Sequence, residues 1–94
     1  MSRIDCLVLA SLKTEPLSLT GITNKIATIN VEKPPTRIGI HARLKKLSEQ
    51  HLIVFSWKEG QKIYTITTKG NISFKRFINQ LIKLSVARIR IKSK

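Results

Sequence analysis

Arg37, His41 and Lys45 stand four residues apart in the segment TRIGIHARLKKL, and no acidic side chain follows them before Glu49. That spacing puts all three on one face of a helix. An Arg so placed carries the donor fork that fits the guanine edge in the major groove of duplex DNA. Thr36, just before them, offers a hydroxyl and free backbone N–H groups to a phosphate. Ile38 lies opposite the apolar stripe of the same helix, where it meets a thymine methyl or packs on the Pro34-Pro35 turn. Arg43, with Lys46, flanks the other side and is taken as a further contact. Downstream, Lys58, Gln61 and Lys62 surround the sequence KEGQ, a tip or edge suited to phosphate or minor-groove contact. The plain alternatives are a solvated helix face and a solubilising hairpin tip.

The charge of the whole chain agrees with a polyanionic partner. Its 94 residues hold 18 Lys and Arg against 5 Asp and Glu, a formal charge of +13. Residues 1–35 contribute +1 and residues 36–94 contribute +12, so the surplus is concentrated where the candidate contacts lie. Catalysis finds little support: the acids are scattered singly, and His41 and His51 have no nucleophile or carboxylate pattern beside them. One cysteine, Cys6, and two histidines do not make a structural zinc site or an internal disulfide. No metal or cofactor is expected. The apolar run CLVLASL is too short for a membrane span or a signal peptide, and a cytoplasmic, nucleoid- or plasmid-associated protein is expected. The basic amphipathic end of the chain leaves membrane-surface binding as a minor alternative.

The elements that must position these residues follow from apolar spacing and breakers. Residues 2–13 read as a helix through Ile4, Leu7, Val8 and Leu12, ended by Glu15-Pro16. Leu17 to Leu19 read as an extended connection. Thr20 is expected to cap a second helix with Ile22, Ile26 and Ile29 inward. VEKPPTR breaks that helix, and Thr36 caps a third, running to about Gln50, with Ile40, Leu44 and Leu47 inward. LIVFSW and KIYTIT read as the strands of a hairpin, with Gly60 supplying the positive φ of its turn. Trp57 and Tyr64 are expected in the core rather than as base-stacking platforms. Thr67-Thr68 cap a last helix, from about Lys69 to Arg90, with Phe74, Phe77, Ile78, Leu81, Ser85 and Arg88 on one stripe and Ile82 and Ile89 beside it. The tail VARIRIKSK is expected to touch DNA or stay solvated.

Three helices, a hairpin and a helix make a mostly α chain with a two-stranded β wing. This is a winged helix-turn-helix with a C-terminal dimerisation helix, in which the third helix reads the groove. Residues 1–94 are taken as one domain, with the winged core in 1–68 and the last helix and basic tail in 69–94. Ile4, Val8, Phe74, Phe77, Ile78, Leu81 and Ile82 are the expected dimer contacts, because the last helix carries more apolar residues than a lone surface helix needs.

Four sequence features resemble the PadR-like winged-helix regulators: LVLASL at 7–12, Pro16-Leu17, the Ile40/Leu44/Leu47 spacing followed by Leu52-Ile53, and Tyr64-Thr65-Ile66-Thr67 with Gly70. The resemblance covers about residues 4–70. Two positions depart from it: His51 stands where the family has a Gly before the strand, and His41 where it often has a Tyr. The resemblance implies a homodimer on a palindromic DNA site that represses transcription. A chain this small leaves little room for a separate effector pocket. Two alternatives are carried: the centromere-binding component of a plasmid partition system, which spreads on DNA and recruits a partner protein, and a basic RNA-binding protein.

Overall fold

Ser2 begins the first helix with a reciprocal cap. Its hydroxyl accepts from the Asp5 backbone N–H at 3.1 Å, and the Asp5 carboxylate accepts from the Ser2 N–H at 3.2 Å. Two donors that a helix start leaves open are thereby satisfied. The computed structural model describes residues 1–29 and 33–92, with side-chain surroundings up to residue 84. The first helix, α1, spans Arg3–Leu12.

The second helix, α2, spans Leu19–Ile29. It begins earlier than its sequence suggests. Ser18, not Thr20, provides the capping oxygen, accepting from the Gly21 N–H at 3.2 Å. Ile22 and Ile26 are buried as expected, but Ile29 is half exposed, so the inner face of α2 ends one turn early. Residues 30–32, where VEKPPTR begins, lie outside the described part of the chain.

The third helix, α3, spans Arg37–Glu49 and starts at Thr36, whose hydroxyl accepts from the Gly39 N–H at 3.1 Å. Ile40, Leu44 and Leu47 are its buried residues. The helix ends in a Schellman turn. The Leu52 N–H reaches the Leu47 carbonyl, the His51 N–H reaches the Ser48 carbonyl, and His51 between them has φ 61°. That conformation suits glycine, so His51 is held there at a cost of about 1–2 kcal/mol.

The hairpin pairs β1 (Ile53–Lys58) with β2 (Gln61–Ile66), antiparallel, with Ile53 opposite Ile66 and Lys58 opposite Gln61. Glu59 at φ 52° and Gly60 at φ 77° form the two-residue turn, the primed geometry that follows the twist of paired strands. Leu17 adds a single antiparallel bridge to Tyr64, which ties the α1–α2 connection to β2.

The last helix, α4, spans Thr68–Lys92. Thr67 caps it by accepting from the Gly70 N–H at 2.9 Å, while its own hydroxyl donates to the carbonyls of His51 and Leu52. Gly70 packs against that same corner. A Cβ there would stand 2.1 Å from the Leu52 carbonyl oxygen, so no side chain fits without moving backbone. The Thr67-x-x-Gly70 spacing therefore has a physical reason: one residue caps the helix and the other lets it approach the start of β1.

Side chains from α1, α2, α3 and the inner end of the hairpin form one core, with Leu9, Ile22, Ile40, Leu44, Leu47 and Ile53 almost wholly buried. Phe74 brings α4 onto it, and the Lys13 ammonium lies 5.4 Å from the Phe74 ring centre. The expected winged architecture, mostly helical with a two-stranded wing, is the one found.

Candidate nucleic-acid interface

The core stripe of α3 leaves Arg37, His41 and Lys45 on its outer side, and all three are exposed. Two clefts open between this side and the wing. One, of about 350 Å³, brings Arg37 and His41 beside Gln61, Lys62 and the first residues of α2. The other, of about 310 Å³, brings His41 and Lys45 beside Lys62, Phe55 and Tyr64. Five of the residues expected from sequence thus converge: Arg37, His41, Lys45, Gln61 and Lys62. Among the described residues, Glu49 is the one carboxylate lining either cleft.

Arg37 is not free to wander. Its Nη1 donates to the Thr20 hydroxyl at 3.0 Å. From sequence, Thr20 is the expected cap of α2. With Ser18 in that role, the Thr20 hydroxyl is available to orient the arginine instead. Ser18 and Thr20 are the members of this face that sequence reading missed, because it starts α2 too late.

Thr36 is exposed at the start of α3, and Lys58 is exposed beside the wing turn. Ile38 is 84% exposed, which removes the alternative that it packs on the Pro34-Pro35 turn. Arg43 is turned the other way. Its guanidinium grips Asp5 on α1, Nε to Oδ1 at 2.6 Å and Nη2 to Oδ2 at 2.8 Å. A fork with both arms engaged inside the protein is a poor base reader, so Arg43 is better described as part of the scaffold.

Two further expectations need correction. Trp57 is not in the core: it is 67% exposed, and its neighbour Phe55 is 43% exposed, while Tyr64 is buried. The core reaches only the inner end of the hairpin, so aromatic side chains nearer the tip have nothing to bury them. Val8 is not available to a second copy, since it is fully buried in the protomer's own core. Ile4 also packs against that core and is only partly buried. On α4, Phe77 and Ile78 are half-buried, whereas Leu81, Ile82 and Leu84 are exposed. The surroundings of Ser85, Arg88, Ile89 and the tail lie outside the described residues.

Burial pushes the Cys6 thiol and the Tyr64 phenol above their ordinary pKa values, which keeps both neutral at physiological pH. Among the described residues there is no cluster of three or more His, Cys, Asp or Glu placed to hold a metal, and no helix long and apolar enough to cross a membrane.

No protein-family model matches the chain, and no curated protein matches it in sequence. Solved structures do match in shape. A PadR family transcription regulator from Clostridium difficile superposes with TM-score 0.66 at 21% identity, over 90% of this chain and 99% of its own. Bacillus subtilis PadR, solved in complex with operator DNA, superposes with TM-score 0.71 at 22% identity, over 82% of this chain and 47% of its own. The fold is a PadR-like winged helix. Bordetella bronchiseptica BpsR, whose DNA binding is regulated by 6-hydroxynicotinic acid, superposes with TM-score 0.76 at 14% identity, over 93% of this chain. The chain spans 60% of BpsR and 47% of the Bacillus subtilis protein. In this winged-helix fold α3 is the second helix of the helix-turn-helix and β1–β2 is the wing.

Proposed function

We propose that this chain binds duplex DNA sequence-specifically as a homodimer and represses transcription. The observation that carries the reading is the convergence of Arg37, His41 and Lys45 on α3 with Gln61 and Lys62 on the wing, around clefts with a single carboxylate among their described lining. In this reading α3 enters the major groove, Arg37 reads a base edge from a position fixed by Thr20, and Ile38 meets a thymine methyl. Thr36, Lys58 and Lys62 contact phosphates. The structural likeness supports the reading through the fold, shared with Bacillus subtilis PadR, which was solved in complex with operator DNA.

The dimer is proposed through α4, with Leu81, Ile82, Phe77 and Ile78 against a second copy and Ile4 at the margin. Exposed apolar residues within one turn of a helix are the reason. Two α3 helices would then reach half-sites about one helical turn, roughly 34–36 Å, apart. Selection of bound fragments from random duplex DNA, followed by footprinting, tests this. One short palindromic protected site supports a repressor. Protection that spreads along adjacent DNA would favour the partition role, and equal affinity for structured RNA would contradict a duplex-specific reader.

A further inference from the structure

Three of the chain's five aromatic side chains stand together on the wing, and two of them face water. Phe55 and Trp57 lie two residues apart on β1 and so share one side of the hairpin. Tyr64 is directly opposite Phe55, and Lys62 directly opposite Trp57. Phe55 meets Trp57 edge to face, with ring centres 6.4 Å apart and planes at 88°. The Lys62 ammonium lies 4.4 Å from the Phe55 ring centre and 5.6 Å from that of Trp57. This side of the hairpin opens on α3, and the cleft between them, about 310 Å³, is walled by Phe55 and Tyr64 with Lys45, Lys62 and the Glu49 carboxylate at its margin, while Trp57 is not part of its lining.

An isolated exposed aromatic needs no explanation. Here the apolar rings are clustered, a cation is laid over them, and a second lysine closes the cleft from α3. A ligand complementary to that arrangement has a flat π face and an attached negative charge. The volume is at the small end of binding pockets, about 300–1,000 Å³, and suits one flat ring system rather than a larger molecule. Inside a duplex, base faces are covered by their stacked neighbours, so paired DNA does not present such a face. An unpaired nucleotide does, with its phosphate alongside.

We propose that the aromatic cleft between the wing and α3 holds an unpaired base. The chain would then bind DNA carrying a bulge, frayed end or melted step next to its duplex contacts more tightly than fully paired DNA. The base stacks on Trp57, the more exposed ring, with Phe55 edge-on beside it, and Lys45 and Lys62 neutralise its phosphate. This rests on the duplex-binding reading, because the cleft borders the same face, but it assigns the exposed aromatics a ligand that reading does not use.

Trp57 is the only tryptophan in the chain and meets Phe55, a wall of the cleft, edge to face, so its emission reports stacking at the edge of the cleft. Dye-labelled anisotropy measures binding of a paired duplex, of the same duplex with a short thymine bulge, and of a thymine oligonucleotide, while tryptophan emission measures stacking. The bulged duplex should bind at least about fivefold tighter than the paired one and quench Trp57, as stacking of one base provides. Trp57→Ala should abolish the preference, and Phe55→Leu should weaken it while Trp57 still reports. Equal affinity for bulged and paired duplex with unmoved Trp57 emission overturns this inference and leaves the duplex reading standing. No anisotropy change with any DNA overturns both. Trp57 emission that shifts with protein concentration alone would mean that a second copy covers the rings, and that too overturns it.

Discussion

Arg43 and Asp5, 38 residues apart in sequence, are joined by two hydrogen bonds of 2.6 and 2.8 Å. Asp5 is nearly buried, with 6% of its side chain exposed against 32% for Arg43. The same carboxylate closes the cap of α1, so one side chain fixes the start of α1 and its packing on α3. Burial alone would push the Asp5 carboxyl up. The Arg43 bond and charge and the Ser2 bonds outweigh it and hold it below the usual carboxylate value. Arg43→Ala would leave that carboxylate buried with half its partners. It should cost about 2–3 kcal/mol of folding stability by urea denaturation, without relaxing base preference.

The pair also sets a pH dependence. A carboxyl whose pKa is lower folded than unfolded contributes stability above the unfolded value, near 3.9, and loses it as pH falls through the folded one. Wild-type stability should therefore fall on acidification below about pH 5. In Arg43→Ala the burial and the Ser2 bonds remain while the Arg43 bond and charge are lost, so the folded pKa should rise and the contribution of Asp5 to the slope should become weaker. Urea midpoints of both proteins across that range check it.

Arg37→Ala should behave in the opposite way. Arg37 is exposed and bonded only to Thr20 among its described partners, so folding should hardly change. Duplex affinity should drop by about 1–3 kcal/mol with relaxed preference at one base position. Thr20→Val should reproduce part of that loss, because it frees the arginine without removing it. Binding titrations against a set of single-base variants of the selected site check both.

His51→Gly should stabilise the fold by about 0.5–1 kcal/mol, the left-handed strain relieved less the extra chain entropy of glycine. Gly70→Ala should do the reverse and cost at least about 2 kcal/mol, because its Cβ meets backbone rather than a movable side chain. Thermal and urea unfolding of the two variants check these signs.

Ile82→Glu should convert the proposed dimer to a monomer while leaving the winged core folded, since Ile82 is 55% exposed in the protomer. Sedimentation equilibrium reads the state directly. Val8→Glu would unfold the chain instead, since Val8 lies in the core.

Local chemistry makes much of this fold readable in advance. Pro34-Pro35 with Thr36 marks the start of α3, the Ile40/Leu44/Leu47 spacing gives its buried side, and Gly60 between two β-rich runs gives the wing. What resists reading depends on distance through space. A helical wheel places Arg43 beside the core stripe but cannot show that Asp5, on another helix, waits there. Nor can it tell that Val8 is enclosed by the protomer rather than offered to a partner. Trp57 has the residue type of a core position, and only the length of the hairpin beyond the core leaves it in water. The α2 cap is ambiguous in sequence because Ser18 and Thr20 are both good capping residues, and the choice depends on where Leu17 pairs with Tyr64.

The central claim is that the α3–wing face binds DNA through its cations, and salt tests it most directly. If each protomer neutralises about four or five phosphates, the affinity of the dimer for its selected duplex should fall with a log–log salt slope of roughly −7 to −9. Lys58→Ala removes one phosphate partner from each protomer, so it should make that slope shallower by about two. A slope near zero, the same with and without Lys58, would contradict the account.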